Sequence, residues 1–169
     1  MTSAREWNGV VVYEPPAPVI KNLIIEALRP DTLHANWPFL KRGAVDIWRR
    51  VKAHSNWTTN DLYAALRYPE ASHTVGWIVT RNLKALGWCC GEIQRDRYGG
   101  LEFFLWCAWT IPPRERAPED DVPGAREQMV EFVRGFAKNN GCERVTTLSA
   151  RQLESLGWIK GHTVYYLPA

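Results

Sequence analysis

Between Thr110 and Phe132 the chain reads TIPPRERAPEDDVPGAREQMVEF. An apolar strand candidate enters this stretch and an amphipathic helix candidate leaves it. A loop that runs from a central strand into a helix start offers main-chain N–H groups and the positive end of a helix dipole. That is chemistry suited to a phosphate. Several of its residues pull the other way. Prolines break the loop, and Glu119, Asp120 and Asp121 put carboxylates where an anion would sit. Two like charges about 4 Å apart repel by roughly 1 kcal/mol in water and by about 4 kcal/mol in a partly shielded site. The same carboxylates suit the helix start, at roughly 0.3–1 kcal/mol each, and Pro123 suits its first turn. The expectation is a helix capped from within. Gly124, Ala125 and Arg126 remain as the weak candidates for holding a phosphate-bearing cofactor.

Other chemistry is sparse. Cys89, Cys90, Cys107 and Cys142 show no CxxC spacing, and the adjacent pair would point to opposite faces of a strand. Buried, reduced thiols are expected rather than a zinc site or a disulfide framework. His34, His54, His73 and His162 show no ligand spacing, and no G-x-S-x-G is present. Lys41, Arg42, Arg49, Arg50 and Lys52 are interleaved with Ile47 and Trp48 in a basic stripe. Such a stripe could track a nucleic-acid backbone, and a solvated helix face explains it as well. Nine Trp in 169 residues is a surplus that suits either a thick core or an interface. Trp7 is the least suited to a core, and REWNGVVVY around it could add a strand to a neighbour. Trp7, Arg49 and Arg50 are therefore the interaction candidates.

The elements that must position these residues follow from length and periodicity. The chain, with 46% apolar and 23% charged residues, is the size of one compact domain. Its net charge of +3 permits an acidic partner without requiring one. The start MTSAREWNG has no apolar signal core, and no run is long enough to span a membrane. A soluble protein without an export address is expected. The EPPAP cluster marks residues 1–18 as an N-terminal extension or arm, with a single domain over 19–169. Asn22 to Leu28 reads as a strand. Leu33 to Ala53 has helical spacing, with Asp31 or Thr32 as the cap and with Pro38 and Gly43 expected to break or bend it. Thr58 and Asp61 resemble a capping box. His73–Thr80, Gly87–Asp96 and Leu101–Thr110 read as an antiparallel meander. The third strand is apolar on both faces and so is expected at the centre of the sheet. A helix over Gly124 to Asn140 stops at Gly141. A strand ERVTTLS, a short helix ARQLESLG and a last strand WIKGHTVYYLP complete the order.

This order, together with FAKNNGCERVTTLSARQLESLGWIKGHTVYY, resembles the GNAT N-acyltransferase superfamily over roughly Asn22 to Leu167. Gly141-Cys142 and Leu156-Gly157-Trp158 carry the family's packing signals. The segment VKAHSNWTTNDLYAALRYPEASHTVGWIV is similar to the opening of a group of phage-encoded proteins of that kind. The small internal virion protein of short-tailed coliphages has a similar C-terminal half. The resemblance implies an α/β (α+β) fold with a mixed, mostly antiparallel central sheet flanked by helices. It also implies an acyl-CoA loop of the form Arg or Gln, two residues, Gly, one residue, Gly or Ala. Here DVPGAR keeps Gly124, but Asp121 stands for the Arg or Gln and Arg126 for the small residue. The family commonly uses a Glu on a middle strand as base, which makes Glu92 and Glu102 weak catalytic candidates, although a salt-bridged or solvated carboxylate is the blander expectation. A family Tyr in the last short helix is absent, and Tyr165 and Tyr166 come later. The expectation is a GNAT-like phage protein with a degenerate acyl-CoA loop and no cofactor. It would act as a virion-associated or accessory structural protein through contacts with other phage proteins, in the host cytoplasm and the particle. The alternatives are an active acyl-CoA-dependent N-acyltransferase and a nucleic-acid-binding module.

Overall fold

The computed structural model describes residues 4–7, 10–13, 23–51, 58–96, 98–120 and 125–147, with side chains from Leu23 onward except at 50, 51 and 126. The prolines after Tyr13, the residues 121–124, and the short helix and strand expected after Thr147 lie outside the described residues. Among those described, β1 (Ala4–Trp7) and β2 (Val10–Tyr13) pair antiparallel, Ala4 opposite Tyr13. The strand expected around Gly9–Tyr13 therefore has a partner just before it in the chain. Asn8-Gly9 between the two is a strong hairpin signal that the sequence reading left unused.

The main sheet has the order β3-β4-β5-β6-β7. Its strands are β3 (Leu23–Ala27), β4 (Thr74–Arg81), β5 (Lys84–Arg95), β6 (Leu101–Thr110) and β7 (Arg144–Thr147). The first four are antiparallel neighbours, and β7 joins β6 parallel. A parallel neighbour needs a crossover, which α4 (Ala125–Asn139) supplies. This is the mixed, mostly antiparallel sheet flanked by helices that the resemblance implies.

Side-chain alternation divides the core in two. On the α4 face, Trp77 and Phe103 pack with Phe132 and Phe136, and the Trp77–Phe136 ring centroids lie 4.7 Å apart. On the other face, Ile78, Trp88, Cys90, Cys107 and Trp109 meet Leu33, Leu40, Ala44, Leu62 and Leu66 of α1 and α2. Cys89 and Cys90 do point to opposite faces. The Trp side chains among the described residues (Trp37, Trp48, Trp77, Trp88, Trp106 and Trp109) are all buried or half-buried, so much of the surplus goes into the core.

Three local expectations need correction. First, α1 (Pro30–Val51) runs unbroken through Pro38 and Gly43. Pro38 removes one N–H, but the carbonyl it would have engaged belongs to exposed His34, where water can serve it. Buried Leu33, Leu40 and Ala44 meanwhile hold the helix to the sheet on both sides of it. Second, the helix begins at Pro30, not beyond Asp31 or Thr32. The Arg29 carbonyl accepts from the Leu33 N–H at 2.8 Å, and the Thr32 hydroxyl accepts from the Arg29 N–H at 3.2 Å. That is half a capping box with proline at the first helical position. Third, the link expected over Arg81–Leu86 shrinks to Asn82-Leu83, both in the left-handed region with φ of 49° and 64°. The capping box of α2 (Thr59–Arg67) is as the sequence suggests, with Thr58 and Asp61 exchanging bonds. The pair of bonds from Thr58 holds the Asp61 carboxyl below the usual range. A short helix α3 (Pro69–Ser72) then leads into β4.

Candidate functional site

The site is built around β6. Its register against β5 steps from Cys90↔Cys107 to Gly91↔Leu105, so Trp106 is an extra residue, a bulge in the middle of the sheet. Parallel pairing with β7 covers Glu102 to Leu105 and ends there among the described residues. Beyond the bulge the strand continues to Thr110, and among the described residues only β5 pairs with it there. The Ile111 N–H donates to the Leu86 carbonyl at 2.9 Å, which fixes the alternation. Residues 109 and 111 therefore direct their main-chain groups at β5. Ala108 and Thr110, both exposed, direct theirs to the opposite side, past the described pairing with β7.

The loop after Thr110 is tied down. Arg116 Nε donates to the Ile111 carbonyl at 2.6 Å and its Nη2 to Thr110 Oγ1 at 2.9 Å. Arg42 of α1 pairs with Glu115 and lies 5.6 Å over the Trp109 ring. Arg81 donates to the Glu119 carbonyl, and Lys84 pairs with the Asp120 carboxylate. Asp120 is buried. The acidic run is thus not simply a negative patch, because Asp120 turns inward to a cation and Glu119 alone of the described pair faces solvent. Helix α4 begins at Ala125. Of the cofactor candidates, Ala125 is the first residue of α4 and half-buried, Arg126 is the second with its side chain outside the described residues, and Gly124 lies outside them too. Pro123, expected in the first helical turn, also falls outside.

The two carboxylate candidates have different fates. Glu102 on β6 is buried. Gln94 Nε2 donates to its Oε1 at 2.8 Å and Arg144 Nε to its Oε2 at 3.0 Å. Arg144 also reaches Asp96 at 2.5 Å. The bonds to Glu102, then the charge of Asp96, push the Arg144 guanidinium further up. Asp96 accepts from the N–H groups of Tyr98 and Gly100, and its carboxyl is held below the usual range, most by Tyr98. Glu102 is therefore part of a network tying β5, β6 and β7 together. Glu92 on β5 is half-buried. It stands opposite Thr74 of β4 and Phe104 of β6, and Phe104 stands opposite Thr146 of β7. This row crosses the sheet on the α1/α2 face. The buried Thr146 Oγ1 has no hydrogen-bond partner among the described residues. The sequence reading named Glu92 but missed Thr146 and the bulge. Neither bears a signal that spacing alone reveals.

The interaction candidates are scattered. Trp7 ends β1 and Arg50 lies in α1, both with side chains outside the described residues, and Arg49 is exposed on α1. Arg42 is withdrawn from the basic stripe by Glu115 and Trp109. Among the described residues no group of His, Cys, Asp and Glu is placed to hold a metal ion, and no helix is long and apolar enough to cross a membrane.

No protein-family model matches the chain, and no curated protein matches it in sequence. Solved structures do match in fold. An aminoglycoside N-acetyltransferase in complex with CoA superposes with a TM-score of 0.61 at 16% identity, over 91% of this chain and 99% of that one. A possible acetyltransferase from Clostridium difficile 630 gives 0.61 at 9% identity, over 87% and 97%. A ribosomal-protein-alanine N-acetyltransferase from Brucella melitensis biovar Abortus 2308 gives 0.60 at 11% identity, over 86% and 98%. The chain has the fold of the GNAT-type acetyltransferases. At these identities the likeness establishes the architecture and leaves the chemistry to the site.

Proposed function

We propose that this protein is an acyl-CoA-dependent N-acyltransferase. The observation that carries the proposal is the edge of β6 that no described residue pairs beyond Leu105. Past the bulge at Trp106, main-chain groups of Ala108 and Thr110 face the side away from β5, beyond the described pairing with β7, and a loop tethered as far as Asp120 precedes α4. An extended ligand bearing amides, with a diphosphate at one end, fits an unpaired strand edge followed by a helix start. The similar fold of an acetyltransferase solved with CoA supports the same ligand. Ala108 and Thr110 would hold the amides, and Ala125 and Arg126 the diphosphate end. Acyl-CoA would supply the activated thioester. Glu92 is the candidate to take the proton of an amine, directly or through water. Glu102 is not, because both its oxygens are already engaged.

The acidic run was the main reason to expect no cofactor. With Asp120 turned to Lys84, that reason weakens, and the acyltransferase alternative becomes the better reading. No comparable observation among the described residues favours a virion-associated role, or a nucleic-acid module once Arg42 is engaged elsewhere. The test is release of free CoA from acetyl-CoA in the presence of a panel of amines: an aminoglycoside, a polyamine and a peptide with a free N-terminus. Amine-dependent release that falls sharply in Arg126→Glu supports the proposal. No release with any amine, and no acetyl-CoA binding at millimolar concentration, would sink it.

A further inference from the structure

Two cations at the end of one hairpin hold consecutive residues of the β6–α4 loop. Arg81 closes β4, Lys84 opens β5, and the two are the last Cα partners of that ladder. Asn82 and Leu83 turn between them with positive φ, a conformation that a type I′ hairpin turn requires at both positions and that leucine adopts at a cost. The turn sets both cations beside the loop. Arg81 donates to the Glu119 carbonyl and Lys84 pairs with the Asp120 carboxylate. The Asp120 side chain is only 8% exposed, whereas that of Lys84 is 53% exposed. A carboxylate buried to this degree is costly unless a cation meets it, so the pair favours one loop position over others. At the near end of the loop, Arg116 and Arg42 make the other attachments, to Ile111 and Glu115. The hairpin therefore holds the far end of the described loop, at Glu119 and Asp120.

We infer that Arg81 and Lys84 are positioning residues for the acyl-CoA loop: the β4–β5 hairpin grips Glu119 and Asp120 and thereby sets how the chain enters α4. This rests on the acyltransferase reading of the same site. In that role Asp120 is an anchor of the loop and not an anion standing in the ligand's place. A long loop tethered in the free protein has less conformational freedom to lose when a ligand orders it, which is how such a grip raises affinity without touching the ligand.

The test uses the full chain and two readouts. Cleavage after exposed Glu119 by a glutamate-specific protease reports opening of the gripped end of the loop in the ligand-free protein. Calorimetric titration with acetyl-CoA reports affinity. Lys84→Met should speed cleavage at this bond about tenfold, and Lys84→Met and Asp120→Asn should each weaken acetyl-CoA binding about tenfold, the loss of one charge-assisted contact. Lys84→Arg, which keeps the cation, should retain both within about threefold. Lys84 is more than half exposed, so its variants should fold, and a thermal melt checks that they do. Unchanged cleavage in a folded Lys84→Met would overturn the grip. Faster cleavage with unchanged acetyl-CoA affinity would overturn the positioning role. If the parent protein binds no acetyl-CoA while Lys84→Met still cleaves faster, the grip stands, and the acyltransferase reading falls together with the positioning role.

Discussion

Gly43→Ala sets two effects of opposite sign against each other. Gly43 lies inside α1, where replacing glycine by alanine ordinarily gains about 1 kcal/mol of helix propensity. Here a Cβ would meet Trp88 Nε1 at 2.5 Å and the Trp109 ring at 2.6 and 2.8 Å. Ordinary carbon contacts lie at about 3.5–4.0 Å, so each indole, or the helix, would have to retreat by roughly 1 Å. Neither ring has room to do so. Trp88 and Trp109 are 1% and 6% exposed. Trp109 is also held around Gly43 by α1 itself, through its Nε1–H to Asp46 Oδ2 at 2.9 Å and an edge contact with Phe39 at 5.4 Å. Overpacking of this kind costs about 1–3 kcal/mol, and two large rings place it at the upper end. After the propensity gain of about 1 kcal/mol, a net loss of about 2 kcal/mol remains. For a chain of this length, that lowers Tm by roughly 4–8 °C. Scanning calorimetry measures it, with Ala35→Gly on the exposed face of the same helix reporting propensity alone. A Gly43→Ala protein that melts at or above the parent temperature would show that α1 does not rest on the two indoles.

The remaining predictions concern the carboxylates and the thiols. Glu102→Gln should destabilise the protein by about 1–3 kcal/mol, because it leaves Arg144 with one carboxylate fewer, while Glu92→Gln should change Tm little and depress amine-dependent turnover; thermal melts and the CoA-release assay separate the two. The Asp96 carboxyl is held low in the folded protein, so its contribution is present above the unfolded value of about 3.9 and is lost as pH falls through the lower folded value. The Tm difference between parent and Asp96→Asn should accordingly be largest near neutral pH and vanish in acid. Burial pushes the Cys89 thiol up, and the neighbouring Cys107 thiol with burial does the same to Cys90. Cys142 is pushed up to about 11 by burial and by Glu102. A disulfide reagent at mildly alkaline pH should therefore label Cys142 slowly and leave Cys89 and Cys90 unlabelled until denaturant is added; rapid labelling of either buried thiol in the native protein would contradict the core described for β5.

Much of the fold was legible because periodicity carries it. The two-sided apolar run of β6, the capping box at Thr58 and the glycine stop at Gly141 each follow from local chemistry; β6 is covered on both faces as expected, although β5 and not β6 is the middle strand of the described sheet. Pro38 and Gly43 were misread because local propensity argues for a break, whereas packing of Leu33, Leu40 and Ala44 against the sheet holds the helix through both. The site was less legible. The Trp106 bulge depends on the register of two strands and has no residue-type signature. The turn of Asp120 toward Lys84 depends on a hairpin distant in sequence. Three carboxylates in a row read as repulsion to a phosphate because the cation that meets Asp120 was not visible, and Glu102 could not be told from Glu92 until Gln94 and Arg144 were seen beside it.

The central claim is the proposal that the edge of β6 beyond Leu105, unpaired among the described residues, pairs with acyl-CoA. Titrating acetyl-CoA into the isotopically labelled protein and following backbone amide resonances tests it directly. The amides of Ala108 and Thr110, together with those at the start of α4, should shift saturably, with an affinity in the micromolar-to-millimolar range usual for enzyme substrates, while the amides of Trp109 and Ile111, turned to β5, move less. Shifts confined to other surfaces, or none at saturating acetyl-CoA, would contradict the claim.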